Sequence, residues 1–342
     1  MPILNVLYQS DNNYAAFMGV SICSLLESNK SANNIHVYII DDSISKENKD
    51  KLVSMVHSYA REIFFLDGKQ ILNCQEITAA FTYSGMRRNT HSYLKLFADR
   101  LLPALQERIV YIDCDTAVIG DLSELLSIDM KDKPIGMAMD SLMPAHKAPA
   151  ETAKSGKYYN SGVMLIDLNT WRKSRCSERI LQYRQNGKAY GTVDQDILNA
   201  VLSNEILTLP ARYNLQPVHI DYSYQEYSKV FRHQKPYYTQ SEIEQASKRP
   251  TIIHYLRYIG ESPWHADTVH PGAKYFDYYL QLSPWKDYCK KKSGRGVIFR
   301  IEKWMYLHLP KSIFLRIFHI VHEAVIKKSN HTSPTSNWER KK

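Results

Sequence analysis

Short apolar runs that end in carboxylates recur along the first half of the chain. This pattern restricts the fold more than any other. Ile3-Leu-Asn-Val-Leu-Tyr8, Ile35-His-Val-Tyr-Ile-Ile40, Glu62-Ile-Phe-Phe-Leu66 and Arg108-Ile-Val-Tyr-Ile-Asp113 each read as a strand. Between them, Tyr14 to Leu26, Lys46 to Tyr59 and Tyr93 to Leu102 carry helical spacing. Ser43 or Ser45 is placed to cap the second helix, and Pro103 stops the third. Strands that alternate with helices build βαβ units, so the expected class is α/β with a mostly parallel sheet and flanking helices. Such sheets bind ligands beyond the carboxyl ends of their strands. Asp11, Asp41, the Asp113/Asp115 pair and Asp140 all fall there, and Asp194 opens a later helix.

In Asp113-Cys114-Asp115 the carboxylates are two residues apart and share a face of an extended chain, while Cys114 points the other way and packs. Clustered carboxylate oxygens suit hard divalent ions such as Mg²⁺ or Mn²⁺. Caps and turns explain any one of these Asp residues, and Asp41 is better read as starting the helix after it. Several carboxylates at one sheet edge would repel unless a cation or a hydroxyl-rich ligand were present.

Later segments are less regular. Pro134 to Asp140 reads as a strand, and 141–157 as a small, polar, mobile loop over the site. Asn160-Ser-Gly162 reads as a turn before a strand that ends at Asp167, with a helix from about Asn169. Asp194-Gln195-Asp196 opens a helix, 212–250 is rich in Tyr, Gln and Lys and weakly periodic, Ile252 to Tyr255 returns to strand, and Gly260 to His265 turns.

Composition excludes several classes. With 44% hydrophobic and 23% charged residues over 342 positions, the chain is an ordinary globular protein. Its five scattered cysteines lack Cys-x-x-Cys spacing, which argues against a zinc ribbon or disulfide scaffold and suits a reducing compartment. Neither a signal peptide nor a membrane-spanning apolar run is read, so a cytoplasmic location is expected. The net charge of +9 is concentrated at one end: residues 290–342 hold 13 Lys/Arg and 3 Asp/Glu, leaving 31 basic and 32 acidic residues before them.

Taken in order, Asp11-Asn12-Asn13-Tyr14, Asp113-Cys-Asp115, Asn160-Ser-Gly162, Asp194-Gln195-Asp196 and a late His254 before Pro263-Trp264-His265 resemble the family 8 glycosyltransferases over about residues 3–265. The resemblance implies a GT-A fold and retaining transfer of a hexose from a UDP-sugar. It implies that Asp11, Asn13 and Tyr14 hold uridine, and that Asp113, Asp115 and His254 ligate Mn²⁺, with Mg²⁺ as the alternative. Asp140, Asn160 and Asp194, with Gly162, would hold the donor sugar, and Gln195 would lie by its anomeric carbon. Ser283-Pro-Trp-Lys-Asp287 and the basic end further resemble the bacterial branch that adds glucose or galactose to lipopolysaccharide core or related glycans. The implied division is a catalytic domain over 1–265, a connector over 266–289 and a basic helical tail over 290–342.

Two departures stand out. The family commonly has His-x-x-Gly-x-x-Lys-Pro-Trp, with the Lys on the diphosphate. Here two extra residues intervene, Gly260 lies in the lengthened loop, and Ser262 occupies the Lys position. Arg257 is the candidate replacement, as a cation facing the leaving diphosphate. Tyr93 stands where the family often has Arg, and Lys95, Arg87 and Arg88 are the neighbouring cations that could compensate.

The tail mixes bulky apolar residues with Lys/Arg over Val297 to Leu307 and Ser312 to Ile326, as expected of helices lying on an anionic bilayer at the inner membrane. The competing expectation is helices packed on the body with a solvated basic face. Nucleic acid is not the expected partner, because no recognised motif accompanies the charge. A UDP-sugar-binding protein without transfer activity is the alternative from another class. A sugar-phosphate nucleotidyltransferase would need a Gly-rich phosphate loop, and Ser10-Asp-Asn-Asn13 is not one.

Overall fold

The computed structural model describes residues 3–82, 92–104, 106–143, 155–186, 193–232, 237–256, 259, 261–294 and 296–331. The main sheet contains β1 (Leu4–Asp11), β2 (Ile35–Asp42), β3 (Glu62–Asp67), β4 (Arg108–Ile112), β6 (Ile135–Met139), β7 (Tyr159–Asp167) and β8 (Ile206–Thr208). Their order across the sheet is β3-β2-β1-β4-β7-β6-β8, and β5 (Thr116–Val118) pairs with β9 (Ile252–His254) in a separate two-stranded sheet. Within the main sheet β7 runs against the other six.

Alternating side chains explain why both faces are covered. Val6, Tyr8, Val110 and Ile112 join one core cluster, whereas Leu7, Ile109 and Tyr111 join the cluster on the opposite face. The same alternation sends Asp113 to the Tyr111 face and Cys114 to the Val110 face, where its Sγ meets the Gln9 carbonyl at 3.0 Å.

Register then gathers the polar ends. Asp11 lies beside Asp42, and Asp41 beside Asp67, at the carboxyl edge of the parallel strands. Because β7 is antiparallel, its beginning lies where β4 and β6 end: Ile112 pairs with Val163 and Met139 with Tyr159. Asn160, Ser161 and Gly162 are therefore strand residues, not the turn their composition suggests. Asp41 accepts the Ile44 amide, and Ser45, not Ser43, caps the helix Lys46–Ser58.

Two more segments depart from expectation. Tyr93 to Leu102 holds a 3₁₀ helix, Leu94–Arg100, with Phe97 off helical geometry. The weakly periodic 212–250 stretch contains the helices Pro217–Asp221, Tyr224–Phe231 and Gln240–Lys248. Residues 144–154 of the expected mobile loop lie outside the described residues.

Beyond residue 265, the helix Ala273–Leu282 packs Phe276, Tyr279 and Leu280 into the main core. Trp285 lies so close over Gly19 that a Cβ there would meet its ring at 2.1 Å. The helices Val297–His308 and Lys311–His331 follow. Among the described residues no helix is long and apolar enough to cross a membrane.

Candidate active site

At the edge where β4 and β6 stop and β7 begins, the chain brings together Asp113, Asp115, Asp140, Asn160, Ser161 and Gly162. The small sheet delivers another member. In β5–β9 the register pairs Thr116 with His254, which lays the imidazole beside Asp115 despite the long intervening sequence. His254 Nε2 is 3.3 Å from Asp115 Oδ1 and 4.0 Å from Asp113 Oδ2. One donor atom from each of the three side chains lies within 4.8 Å of the others.

A backbone amide fixes which way this imidazole faces. Gly162 N–H donates to Asn160 Oδ1 at 3.0 Å, so that atom is an acceptor. Asn214 must present its Nδ2 to the same oxygen, at 2.9 Å, which leaves Asn214 Oδ1 facing His254 Nδ1 at 3.0 Å. An amide oxygen only accepts, so Nδ1 carries a proton and Nε2 is turned toward the carboxylates. That orientation, with a hydrogen-bonded rear nitrogen, is the one a metal-ligating histidine adopts. Gly162 supports the ring from beneath: a Cβ at 162 would sit 2.0 Å from His254 Cε1.

A polar net continues from this centre. Asn160 Nδ2 donates to Asp140 Oδ2 at 3.0 Å and to Gln195 Oε1 at 3.1 Å. Gln195 Oε1 also accepts the Ser161 amide at 3.3 Å, and its Nε2 donates to Asp140 Oδ2 at 3.2 Å. The other Asp140 oxygen takes the Leu142 and Met143 amides. Asp194 accepts from Ser161 Oγ at 2.8 Å.

Lys95 is the cation within this acidic cluster. Its side chain is only 4% exposed, with Nζ 2.8 Å from Asp194 Oδ2, 3.2 Å from Asp113 Oδ1 and 3.3 Å from the Ser161 carbonyl. Tyr93, by contrast, is buried and stacks on Phe81 at 4.2 Å. Of the cations named as compensating for Tyr93, Lys95 is therefore in the site, while Arg87 and Arg88 lie outside the described residues. Arg257 and Gly260 also lie outside them.

These contacts order the charges. Burial raises the Asp113 carboxyl above its ordinary range, with Lys95 opposing the rise and Asp115 adding to it. For Asp115, burial is outweighed by the His254 charge and hydrogen bond, and the carboxyl lies below its ordinary range. His254 is correspondingly raised, since burial is outweighed by Asp115. Burial likewise loses to mutual attraction for Lys95, which is raised by Asp113 and Asp194, and for Asp194, which is lowered by Lys95. Asp113 and Asp115 keep 28% and 29% of their side-chain surface open to solvent, so a ligand can reach them. The donor set of two carboxylates and one imidazole, facing one point, fits a divalent cation.

Asp11, Asn13 and Tyr14 lie at the end of β1, where Asp11 accepts the Tyr14 amide and the Asn13 amide group, each at 3.0 Å. Tyr14 is 44% exposed and stands edge-on to Phe17 and Trp264, which stack on each other at 4.2 Å. Asn214 and Tyr111, whose hydroxyl donates to Asp113 at 2.6 Å, were not anticipated. Tyr111 reads as a core strand residue, and Asn214 sits in the weakly periodic stretch with nothing local to mark it.

The model of the family described as glycosyl transferase family 8 matches residues 5–268. The lipopolysaccharide 1,2-glucosyltransferase of Escherichia coli strain K12 is 29% identical over 315 residues, covering 90% of this chain and 85% of that protein. Galactosyltransferase LgtC, solved in complex with donor and acceptor sugar analogues, superposes with a TM-score of 0.64 at 21% identity, over 82% of this chain and 96% of that one. The WbbM bifunctional glycosyltransferase superposes with a TM-score of 0.66 at 20% identity; the match covers 83% of this chain and 50% of that one. Both structural likenesses concern the fold.

Proposed function

Given that the chain belongs to glycosyl transferase family 8 and is a glycosyltransferase, we propose that it moves glucose or galactose from a UDP-sugar to a bacterial surface glycan, of the lipopolysaccharide-core, O-antigen or capsule type, with α-retention. The observation that carries this reading is the convergence of Asp113, Asp115 and His254 next to the Asp140–Asn160–Gln195 net. The names of the similar proteins supply the sugar and the acceptor class.

In this reading Asp113, Asp115 and His254 would hold Mn²⁺, or Mg²⁺, which supplies Lewis-acid stabilisation of the departing diphosphate. Asn214 and Gly162 keep the imidazole aimed. Asp11, Asn13 and Tyr14 take the uridine, and Asp140, Asn160 and Asp194 take hydroxyls of the donor sugar. Lys95 keeps Asp113 and Asp194 charged and apart. Gln195, whose oxygen already accepts two hydrogen bonds, is a poor nucleophile, which favours front-face transfer through an oxocarbenium-like state over a covalent glycosyl-enzyme.

The tail supports a reading of the place of action. Val297, Ile298, Ile301, Trp304 and Leu307 are all more than half exposed on one helix, next to Lys and Arg residues. We assign this face to an anionic bilayer surface at the cytoplasmic side of the inner membrane, where a glycolipid acceptor would be presented. Full-length protein should float with anionic vesicles, and an Ile301→Ser/Trp304→Ser variant should not; equal flotation of the two removes the assignment.

The transfer reading is tested by incubating the protein with a panel of UDP-sugars, with and without Mn²⁺. Metal-dependent release of free glucose or galactose is expected. A second reading, UDP-sugar binding without transfer, draws on Ser262, which is buried at the family's Lys position. Tight UDP binding with no release from any donor, alone or with acceptor, would favour it.

A further inference from the structure

The two C-terminal helices also have an inner side, and that side is fastened to the segment between His254 and Trp264. Phe314, Leu315 and Phe318 are buried in one cluster with Ile259, Val218, Tyr222, Tyr227 and Phe231. Ile259 is fully buried and takes a left-handed conformation at φ 53°, an unfavourable state for a β-branched residue that its surroundings must enforce. Two residues on, the buried Glu261 accepts from Lys303 Nζ at 3.1 Å through one oxygen and from the Val269 amide at 3.2 Å through the other. Lys303 also donates to the Asp267 carbonyl. Upstream, Lys290 Nζ donates to the Pro263 carbonyl at 2.9 Å, and the Lys291 carbonyl accepts the Ala266 amide at 3.0 Å. These fastenings land on Ile259, Glu261, Pro263, Ala266 and Asp267, and Lys290, Lys303 and Lys311 pair with Asp277, Glu261 and Asp221 of the body.

We propose that Lys303 and Glu261 are positioning residues for sugar transfer: their ion pair, with the Ile259–Phe314 cluster, ties the tail to the segment running from His254 to the Trp264 wall. The tail is then a working support of the donor site as well as a membrane-facing surface. The proposal rests on the reading that Ser262, which stands where the family has its diphosphate Lys, lies beside the donor diphosphate. Removing Lys303 leaves a buried carboxylate without its cation, and relief comes by moving Glu261 and the chain that carries it.

The test measures Mn²⁺-dependent UDP-sugar hydrolysis by full-length protein in vesicle-free buffer. Lys303→Met should lower kcat by about tenfold or more, since displacements near 1 Å at a reacting centre cost on that scale. UDP affinity by calorimetry should change by no more than about twofold, the pattern of an interaction that matters in the transition state. Lys303→Arg should recover most of the rate. Glu261→Gln, which leaves no bare buried charge, should reproduce the kcat loss. His308→Ala, at the exposed end of the same helix, should hydrolyse like the wild type. Wild-type kcat in either Lys303→Met or Glu261→Gln, or loss in His308→Ala equal to that in Lys303→Met, overturns the positioning role alone. Absence of metal-dependent hydrolysis in the wild type removes the transfer reading, and this inference falls with it.

Discussion

Gly162→Ala is the substitution that tests the site most directly, because it adds one methyl beneath the imidazole and changes no charge. The new Cβ would lie 2.0 Å from His254 Cε1, 2.5 Å from Nδ1 and 2.9 Å from Nε2, where ordinary contact starts at 3.4 Å. The ring would therefore retreat by about 1.4 Å. Its hydrogen bond to Asn214, 3.0 Å in length, cannot stretch that far, and metal sites tolerate about 0.2 Å in ligand distance. One of the three candidate ligands is thus withdrawn. The expected result is a fall in Mn²⁺ affinity of about 100-fold or more, at or beyond the upper end of what disturbing a ligand's support produces. Overpacking should cost about 1–3 kcal/mol of stability, which a domain with about 5–15 kcal/mol in hand survives folded. Gly136→Ala provides the control. There the added Cβ meets Leu209 Cδ2 at 2.8 Å, the end of a flexible side chain away from the polar net. Titrating Mn²⁺ into each variant by calorimetry, with and without UDP, separates the cases. Affinity in Gly162→Ala within a few-fold of Gly136→Ala would refute the reasoning.

Three further outcomes follow from the buried charges. Lys95→Met strips the ammonium from between Asp113 and Asp194, and breaking a buried pair in this way costs about 3–5 kcal/mol; urea unfolding of the metal-free protein should show it, and an unchanged midpoint would mean that the carboxylates relax at no cost. His254 is held above the ordinary imidazole range by Asp115, so proton and cation compete for Nε2. Mn²⁺ affinity should then weaken by up to about tenfold per pH unit below the folded pKa, and calorimetry between pH 8 and pH 6 that shows constant affinity would exclude His254 as a ligand. His270 behaves oppositely: burial lowers it to about 4 from 6.5, and its Nδ1 accepts the Gly272 amide at 3.0 Å, which a proton there would block. The unfolded chain takes this proton first, so the stabilisation is complete above 6.5 and is lost as pH falls toward 4, by about 3 kcal/mol in all. The difference in unfolding free energy between wild type and His270→Gln should shrink across that window; a constant difference would place the acid sensitivity elsewhere.

What could be read from the chain, and what could not, divides along a physical line. β1, β2 and β4 were legible because strands covered on both faces are nearly continuous apolar runs, and the carboxylates that follow them stand out against that background. Register is harder to see. Asn160, Ser161 and Gly162 are turn-forming residues, yet they sit in β7 because each serves the site: an amide for Asp140 and Gln195, a hydroxyl for Asp194, and bare backbone under His254. Local preference and final conformation disagree where function demands it. The helices between 212 and 250 did leave a trace, since Ser223-x-x-Glu226 and Thr239-x-x-Glu242 form reciprocal capping boxes. Asn214 left none, because its task is defined by Asn160 and His254, which arrive through β7 and β9.

The tail shows the same division in its charges. Counting 13 basic residues after position 289 suggests a membrane, the occupant we propose for the exposed face of Val297, Ile301 and Trp304. The count cannot tell that Lys290, Lys303 and Lys311 are paired, because pairing with Asp277, Glu261 and Asp221 depends on which helix face meets the body. A bilayer attracts the charge that remains uncompensated, at about 1 kcal/mol per Lys or Arg near the surface. The three paired lysines are therefore subtracted from that attraction, and Lys290 and Lys303 are added to the cohesion of the chain at Glu261, Pro263 and Asp267. Membrane affinity should accordingly depend less on salt than the raw charge suggests, and more on the apolar face around Trp304.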